Sequence, residues 1–188
     1  MRAPARRLPR AHSVPRGPHR ADPPGGVRPL KIAVRGEAPC DLSAARRAIR
    51  AALRPFGVTS DAELTLAFVD DGAMRELNRR YRGKARTTDV LSFGQSLPAG
   101  AKGAGAAAAL RREADGTLEL GDVVISAAQA ARQARRRRWS LASEVAFLAA
   151  HGALHLLGFE DETRAGHREM VSLGRQALAM TRKKPIKR

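Results

Sequence analysis

From Ser140 to Leu157 the chain reads Ser-Leu-Ala-Ser-Glu-Val-Ala-Phe-Leu-Ala-Ala-His-Gly-Ala-Leu-His-Leu-Leu. A surface helix spends one apolar stripe on the core, whereas a helix apolar on nearly every side runs through it. This segment is of the second kind, with Ser140 as its expected N-cap. It carries two imidazoles, His151 and His155, and an unpaired polar group buried there costs about 1–3 kcal/mol. A bound cation supplies the compensation. Residues i and i+4 share a helix face, so both rings can converge on one ion. Gly158 can take the left-handed conformation that ends a helix, turning the chain so that Asp161 closes the site. Two nitrogens and one oxygen leave a position for water, as in catalytic rather than structural zinc centres.

The residue after the first histidine narrows the chemistry. In zinc proteases of the His-Glu-x-x-His type that residue is the glutamate general base. Here it is Gly152, which can neither take nor give a proton. Peptide hydrolysis by the usual route is therefore not expected, and another metal-assisted hydrolysis fits better.

The 35 basic against 18 acidic residues give a formal charge of +17, which points to a polyanionic partner, nucleic acid above all. Much of that charge is terminal. Residues 1–29 hold seven arginines against Asp22 and seven of the eleven prolines, and residues 181–188 add five more cations. Residues 1–29 are expected to be a disordered basic extension and 181–188 a basic tail, with one folded domain over 30–180. Cys40 is the only cysteine, so no intrachain disulfide can form and a reducing, cytoplasmic compartment is expected. No run approaches the ~20 apolar residues of a membrane span.

Strand and helix patterns interleave across that domain. Leu30–Val34, Leu64–Val69, Thr88–Phe93 and Leu118–Ser126 read as strands. A helix capped by Asp41 or Ser43, with Leu42, Ala45, Ile49 and Leu53 in its apolar stripe, is expected to end near Pro55 and Gly57, and a second runs from Asp70-Asp71 to about Arg80. Further helices are expected over Ala127–Arg138, Ser140–Leu157 and about Thr163–Met180. Residues 98–117, rich in alanine and glycine, are expected to be a mobile low-complexity connection. The fold class is α/β layered: a mixed sheet of about four strands packed with about five helices, the metal site at the end of a core helix. Arg135-Arg-Arg-Arg138 beside Trp139 suits phosphate gripping and base stacking. It suits equally a solvated helix end whose cations complement the macrodipole.

A second block joins helix to strand through a basic loop: Leu77-Asn-Arg-Arg-Tyr81-Arg82-Gly-Lys-Ala-Arg86-Thr-Thr88-Asp-Val-Leu-Ser-Phe93. Guanidinium forks match phosphate oxygens and stay charged at any working pH. Together with Gly121-Asp-Val-Val-Ile-Ser126 and His151 to Asp161, in that order, this block resembles the YbeY family of bacterial endoribonucleases over roughly residues 30–180. The resemblance implies a single-strand-specific, metal-dependent endoribonuclease. It further implies a role in maturing small-subunit ribosomal RNA, notably the 3′ end of 16S rRNA, and in ribosome biogenesis and quality control. It also implies one zinc ion held by three histidines of His-Gly-x-Leu-His-Leu-x-Gly-Tyr-Asp-His. The first two ligands carry over to His151 and His155. The third falls on Asp161, and the family's Tyr-Asp becomes Phe159-Glu160. A carboxylate is an acceptable zinc ligand and shifts preference toward harder ions such as manganese(II). His167 is a fallback third ligand. The family's essential arginine maps to Arg82, with Arg79, Arg80 and Arg86 as neighbours.

These residues imply that a cation at His151, His155 and Asp161 activates water against a phosphodiester while Arg82 stabilises the developing charge. Asp161 or Glu160 would relay the proton. Two other readings stay open. One is a ribosome-assembly RNA-binding factor with a structural metal, and the other is a metal-dependent hydrolase of another substrate.

Overall fold

The computed structural model describes residues 28–181; the expected N-terminal extension up to residue 27 and the tail from 182 lie outside the described residues. Four strands and six helices alternate along them. The strands are β1 (Lys31–Arg35), β2 (Ala62–Val69), β3 (Val90–Gly94) and β4 (Leu118–Ser126). The helices are α1 (Ser43–Leu53), α2 (Asp71–Arg82), α3 (Ala104–Ala109), α4 (Ala127–Arg137), α5 (Leu141–Leu156) and α6 (Arg164–Ala179). Arg28 and Pro29 already touch this body. The Arg28 amide donates to Asp61 Oδ1 at 3.1 Å, and Pro29 bridges to Ser60.

The sheet order is β1-β2-β4-β3, with β1, β2 and β4 parallel and β3 antiparallel at the edge. Strand β2 alternates strictly, burying Ala62, Leu64, Leu66 and Phe68 on one face. Strand β4 breaks that rule, because Leu118 and Leu120 are followed by Val123 and Ile125 on the same face. An extra residue resolves the mismatch. Glu63 pairs with Glu119 but Leu64 with Gly121, which bulges the strand and resets its side-chain parity. Gly121 takes φ +124°, and a Cβ there would lie 2.2 Å from the Phe93 carbonyl oxygen. Only glycine fits this backbone.

Helix α5 lies on one face of the sheet, packing on β3 and β4 and on α1, α4 and α6. That enclosure explains its all-round apolar sequence. The other face of the sheet is covered by α2, where Met74 packs with Leu91, Phe93 and Val124. Caps follow the local chemistry. Asp70, Ser126, Ser140 and Thr163 each accept from the amide three residues on, at 2.7, 3.1, 3.1 and 3.0 Å. Helix α1 has no such cap on its leading residue, Leu42; Asp41 instead accepts from the Ser43 amide one position too early.

The sixth helix corrects the sequence expectation. Residues 98–117, read as a connection without structure of its own, carry α3, with Ala106 completely buried. Alanine is the strongest helix former, and its methyl needs no large cavity. The segment is tied at both ends. The Gly103 amide donates to the Leu157 carbonyl at 2.9 Å. Gln95 binds the backbone of Arg111 through both ends of its amide, at 3.0 and 3.1 Å.

Candidate metal centre

The centre forms where α5 ends. Ring centroids of His151 and His155 lie 4.8 Å apart at 84°, as one helical turn dictates. The last helical residue is Leu156, and Gly158 takes φ +76° two positions later. A Cβ on Gly158 would sit 2.2 Å from the Ala101 carbonyl oxygen, so the bend also needs glycine for space. The turned chain brings Asp161 back over the helix. Its Oδ2 lies 3.5 Å from His151 Nε2 and its Oδ1 3.9 Å from His155 Nε2.

The 3.5 Å separation falls at ligand spacing rather than at that of a charge-assisted hydrogen bond, and the 3.9 Å one is wider than both. Charge-assisted N–H···O bonds are ~2.7–2.9 Å long. Atoms bound about 2.0–2.1 Å from a tetrahedral ion stand roughly 3.3–3.5 Å from one another. One atom from each of the three residues lies within 4.8 Å of the other two. Burial, above all, pushes both imidazoles below the ordinary histidine value; the nearby Asp161 carboxylate opposes it in each case. Burial thus favours the neutral rings, which have lone pairs to give. For His155 the recipient is defined: a carbonyl can only accept, so its 2.8 Å contact with Phe159 O puts the proton on Nδ1 and leaves Nε2 for the ion. The donor set fits a divalent cation with a position left for solvent, since the Asp161 side chain is about a third exposed (36%). His167, the fallback ligand, is an exposed residue of α6 and is not one of the three.

Gly152 has a packing reason as well as a chemical consequence. A Cβ there would lie 2.5 Å from Val123 Cγ1, and Ser92 Oγ donates to the Gly152 carbonyl at 3.0 Å. Helix α5 lies close against the sheet here, and a glutamate would point into β4.

Arg82 is the last residue of α2 and is exposed. Its charge reaches the centre, depressing the His155 imidazole further. The basic loop beyond it is held from inside: buried Asn78 donates from Nδ2 to the Arg86 carbonyl at 2.7 Å. Arg79, by contrast, is turned to Glu76 at 2.6 Å.

The tetra-arginine run divides. Arg137 forms a 2.6 Å ion pair with Glu144, whose side chain is wholly buried. The Arg137 guanidinium also lies 5.6 Å from the Trp139 ring and 5.4 Å from that of Phe147. Trp139 stands edge-on to Phe147, so its indole is packed rather than presented for stacking. Arg135, Arg136 and Arg138 remain exposed. Sequence reasoning passed over Glu144. The available signal was a single acid in an otherwise apolar helix, seven residues after an arginine.

An α/β domain with two imidazoles and one carboxylate gathered at the end of a buried helix offers a candidate metal centre of the kind that hydrolases use. Known proteins narrow that class. Residues 39–182 match the family model described as Endoribonuclease YbeY. The chain is 44% identical over 143 residues to the Endoribonuclease YbeY of Moorella thermoacetica, covering 73% of this chain and 85% of that protein. It is 40% identical over 126 residues to that of Desulforamulus reducens, covering 65% and 74%. The solution structure of TM1509 from Thermotoga maritima superposes with a TM-score of 0.51 at 19% identity, over 84% of this chain and 99% of that one, a likeness of fold. This chain belongs to the YbeY family.

Proposed function

We propose that this protein is a metal-dependent endoribonuclease that hydrolyses phosphodiester bonds in single-stranded RNA. Its expected setting is the reducing cytoplasm, in the maturation of small-subunit ribosomal RNA. The observation that carries this reading is the trio His151, His155 and Asp161 with ligand atoms within 4.8 Å of one another, reached by solvent along the Asp161 edge, with the Arg82 charge acting on it. A structural zinc is closed by four protein ligands, whereas three with an accessible edge suit catalysis. That favours an enzyme over an assembly factor with a structural ion.

A zinc or manganese(II) ion held by His151, His155 and Asp161 would supply Lewis acidity toward a phosphate oxygen and would lower the pKa of water toward neutrality. The protein does the rest. His155 is held in its Nδ1–H form by Phe159. Asp161 contributes the negative charge that retains a divalent ion. Arg82 neutralises charge growing on the non-bridging oxygens, and Asn78 braces the backbone of the basic loop that follows it. Among the described residues no helix is long and apolar enough to cross a membrane.

The test incubates purified protein with single-stranded and duplex RNA, with and without chelator. Chelator-sensitive cleavage confined to single strands, and absent from His151→Ala, is expected. Cleavage that survives chelator, or that His151→Ala retains, overturns the reading.

A further inference from the structure

Residues 71–86 carry six cations against two acids, Asp71 and Glu76. Both acids are already engaged, Asp71 with Arg132 at 2.7 Å and Glu76 with Arg79 at 2.6 Å. Arg75, Arg82, Lys84 and Arg86 are exposed and have no acidic partner among the described residues. A solvated helix end accounts for part of this charge, because cations near a C-terminus complement the macrodipole. It does not account for Arg75, the fifth residue of α2, which stands nearer the positive end of the helix. Arg75 is also one turn from Arg79, and like charges at that spacing destabilise a helix.

The loop after α2 brings the cations together. Asp71, Arg75, Asn78 and Arg82 follow one another at spacings of four, three and four, a row along one helix face. The loop is fastened to that same row. Buried Asn78 takes the Lys84 amide on its carbonyl at 3.3 Å and donates from Nδ2 to the Arg86 carbonyl at 2.7 Å. Two turns earlier, Asp71 Oδ1 takes the Thr87 hydroxyl at 3.4 Å. The chain at Arg86 and Thr87 thus reaches from Asn78 to Asp71 and passes the Arg75 position.

The row ends beside the metal centre. Tyr81, in the last turn of α2, packs edge-on to Phe93 at 4.9 Å. A Cβ on the next residue, Gly94, would stand 3.1 Å from Leu156 Cδ2, and Leu156 follows His155. Helices α2 and α5 therefore finish at the same end of the edge strand β3, on its two faces. Seven residues separate Arg75 from Arg82, about 10 Å along the axis. One phosphate does not cover that span, whereas successive phosphates of a strand do.

We propose that this face of α2 and the loop fastened to it form a phosphate track for the stretch of single-stranded RNA flanking the scissile bond. Arg75 and Arg86 hold flanking phosphates, and Arg82 stands where the track meets the centre. Guanidinium forks match phosphate oxygens, so the track reads backbone charge and not base identity. The proposal rests on the endoribonuclease reading above.

Steady-state cleavage by the metal-loaded, full-length protein tests it, with single-stranded RNA about 5 and about 20 nucleotides long. Arg75→Gln is expected to raise KM for the long RNA about threefold or more, and Arg75→Gln/Arg86→Gln about tenfold or more. KM for the short RNA should change far less. The slope of log KM against log salt should drop by about 0.7 for each arginine removed. Arg175→Gln removes the same charge from an exposed position on α6 and should keep the wild-type KM and slope. Track variants that match the wild type, or that match Arg175→Gln, overturn the proposal, as do equal KM rises for short and long RNA. If the wild-type protein cleaves no single-stranded RNA, the endoribonuclease reading falls and the track with it. Wild-type cleavage that is indifferent to Arg75 and Arg86 overturns the track alone.

Discussion

His155 Nδ1 donates to the carbonyl oxygen of Phe159 at 2.8 Å, across the bend that ends α5. The spacing of four residues is that of a helical pair, yet the helix has already stopped between them. Gly158 makes the contact possible by reversing the chain, and the buried Phe159 ring anchors it. That ring packs 5.1 Å from Phe56 and lies under the Lys102 ammonium at 5.2 Å. An apolar side chain thus fixes the carbonyl that sets the tautomer of a candidate ligand.

Gly158→Ala meets two separate obstacles, a positive φ and the Ala101 carbonyl 2.2 Å from the new Cβ. Stability is expected to fall by about 2 kcal/mol or more in chemical denaturation. Because the Phe159 carbonyl and Asp161 both move, Zn²⁺ affinity should fall at least about tenfold. A variant of unaltered affinity would contradict the role assigned to the bend.

Metal binding and turnover should separate between two other positions. His155→Ala is expected to lose stoichiometric Zn²⁺, read by elemental analysis. Arg82→Ala should keep the ion and lose about 10²–10³-fold in RNA cleavage, the scale of one charge-stabilising donor. Retention of both metal and cleavage in both variants would refute the assignment.

Gly152→Ala tests the packing argument. Alanine raises helix propensity by up to about 1 kcal/mol, but its Cβ would stand 2.5 Å from Val123 Cγ1. Val123 is fully buried and stiff about χ1, so overpacking of about 1–3 kcal/mol should prevail. Val123→Ala in the same chain should recover part of that loss, a coupling that a double-mutant cycle measures.

Arg137→Met leaves the buried Glu144 carboxylate without its cation. Burial pushes Glu144 above the usual carboxylate range, and Arg137 opposes this. Without the arginine, the folded state holds the Glu144 proton to still higher pH than the unfolded chain. Stability then falls as pH rises through that window. The variant should lose about 2–4 kcal/mol near neutral pH and recover part of it near about pH 5, read by urea titration at both.

The two site imidazoles have the opposite sign. Burial holds both below their ordinary value, so in the metal-free fold they stay neutral while an unfolded chain takes up protons. Below about pH 6.5 the unfolded state therefore binds more protons, and stability is lost as pH falls through the folded values. The drop in thermal midpoint from about pH 7.5 to about 5.5 should be larger in the metal-free wild type than in metal-free His151→Leu. An equal drop would mean that His151 titrates normally.

The meeting of His151, His155 and Asp161 was legible in the sequence. Helical spacing pairs His151 with His155, Gly158 ends the helix, and Asp161 follows within reach, all consequences of a few adjacent residues. Caps at Ser140 and Asp70 and the alternation of β2 were readable for the same reason. Other features depend on neighbours remote in the chain. The bulge at Gly121 exists because β4 must match β2 and still clear Phe93. The Arg137–Glu144 pair joins two helices, and α3 is held by Gln95 and Leu157. Propensity and periodicity act over a turn or two of chain. Strand order, the burial of one acid and the ordering of an alanine-rich segment arise only when distant surfaces exclude water together, and those the tertiary structure alone decided.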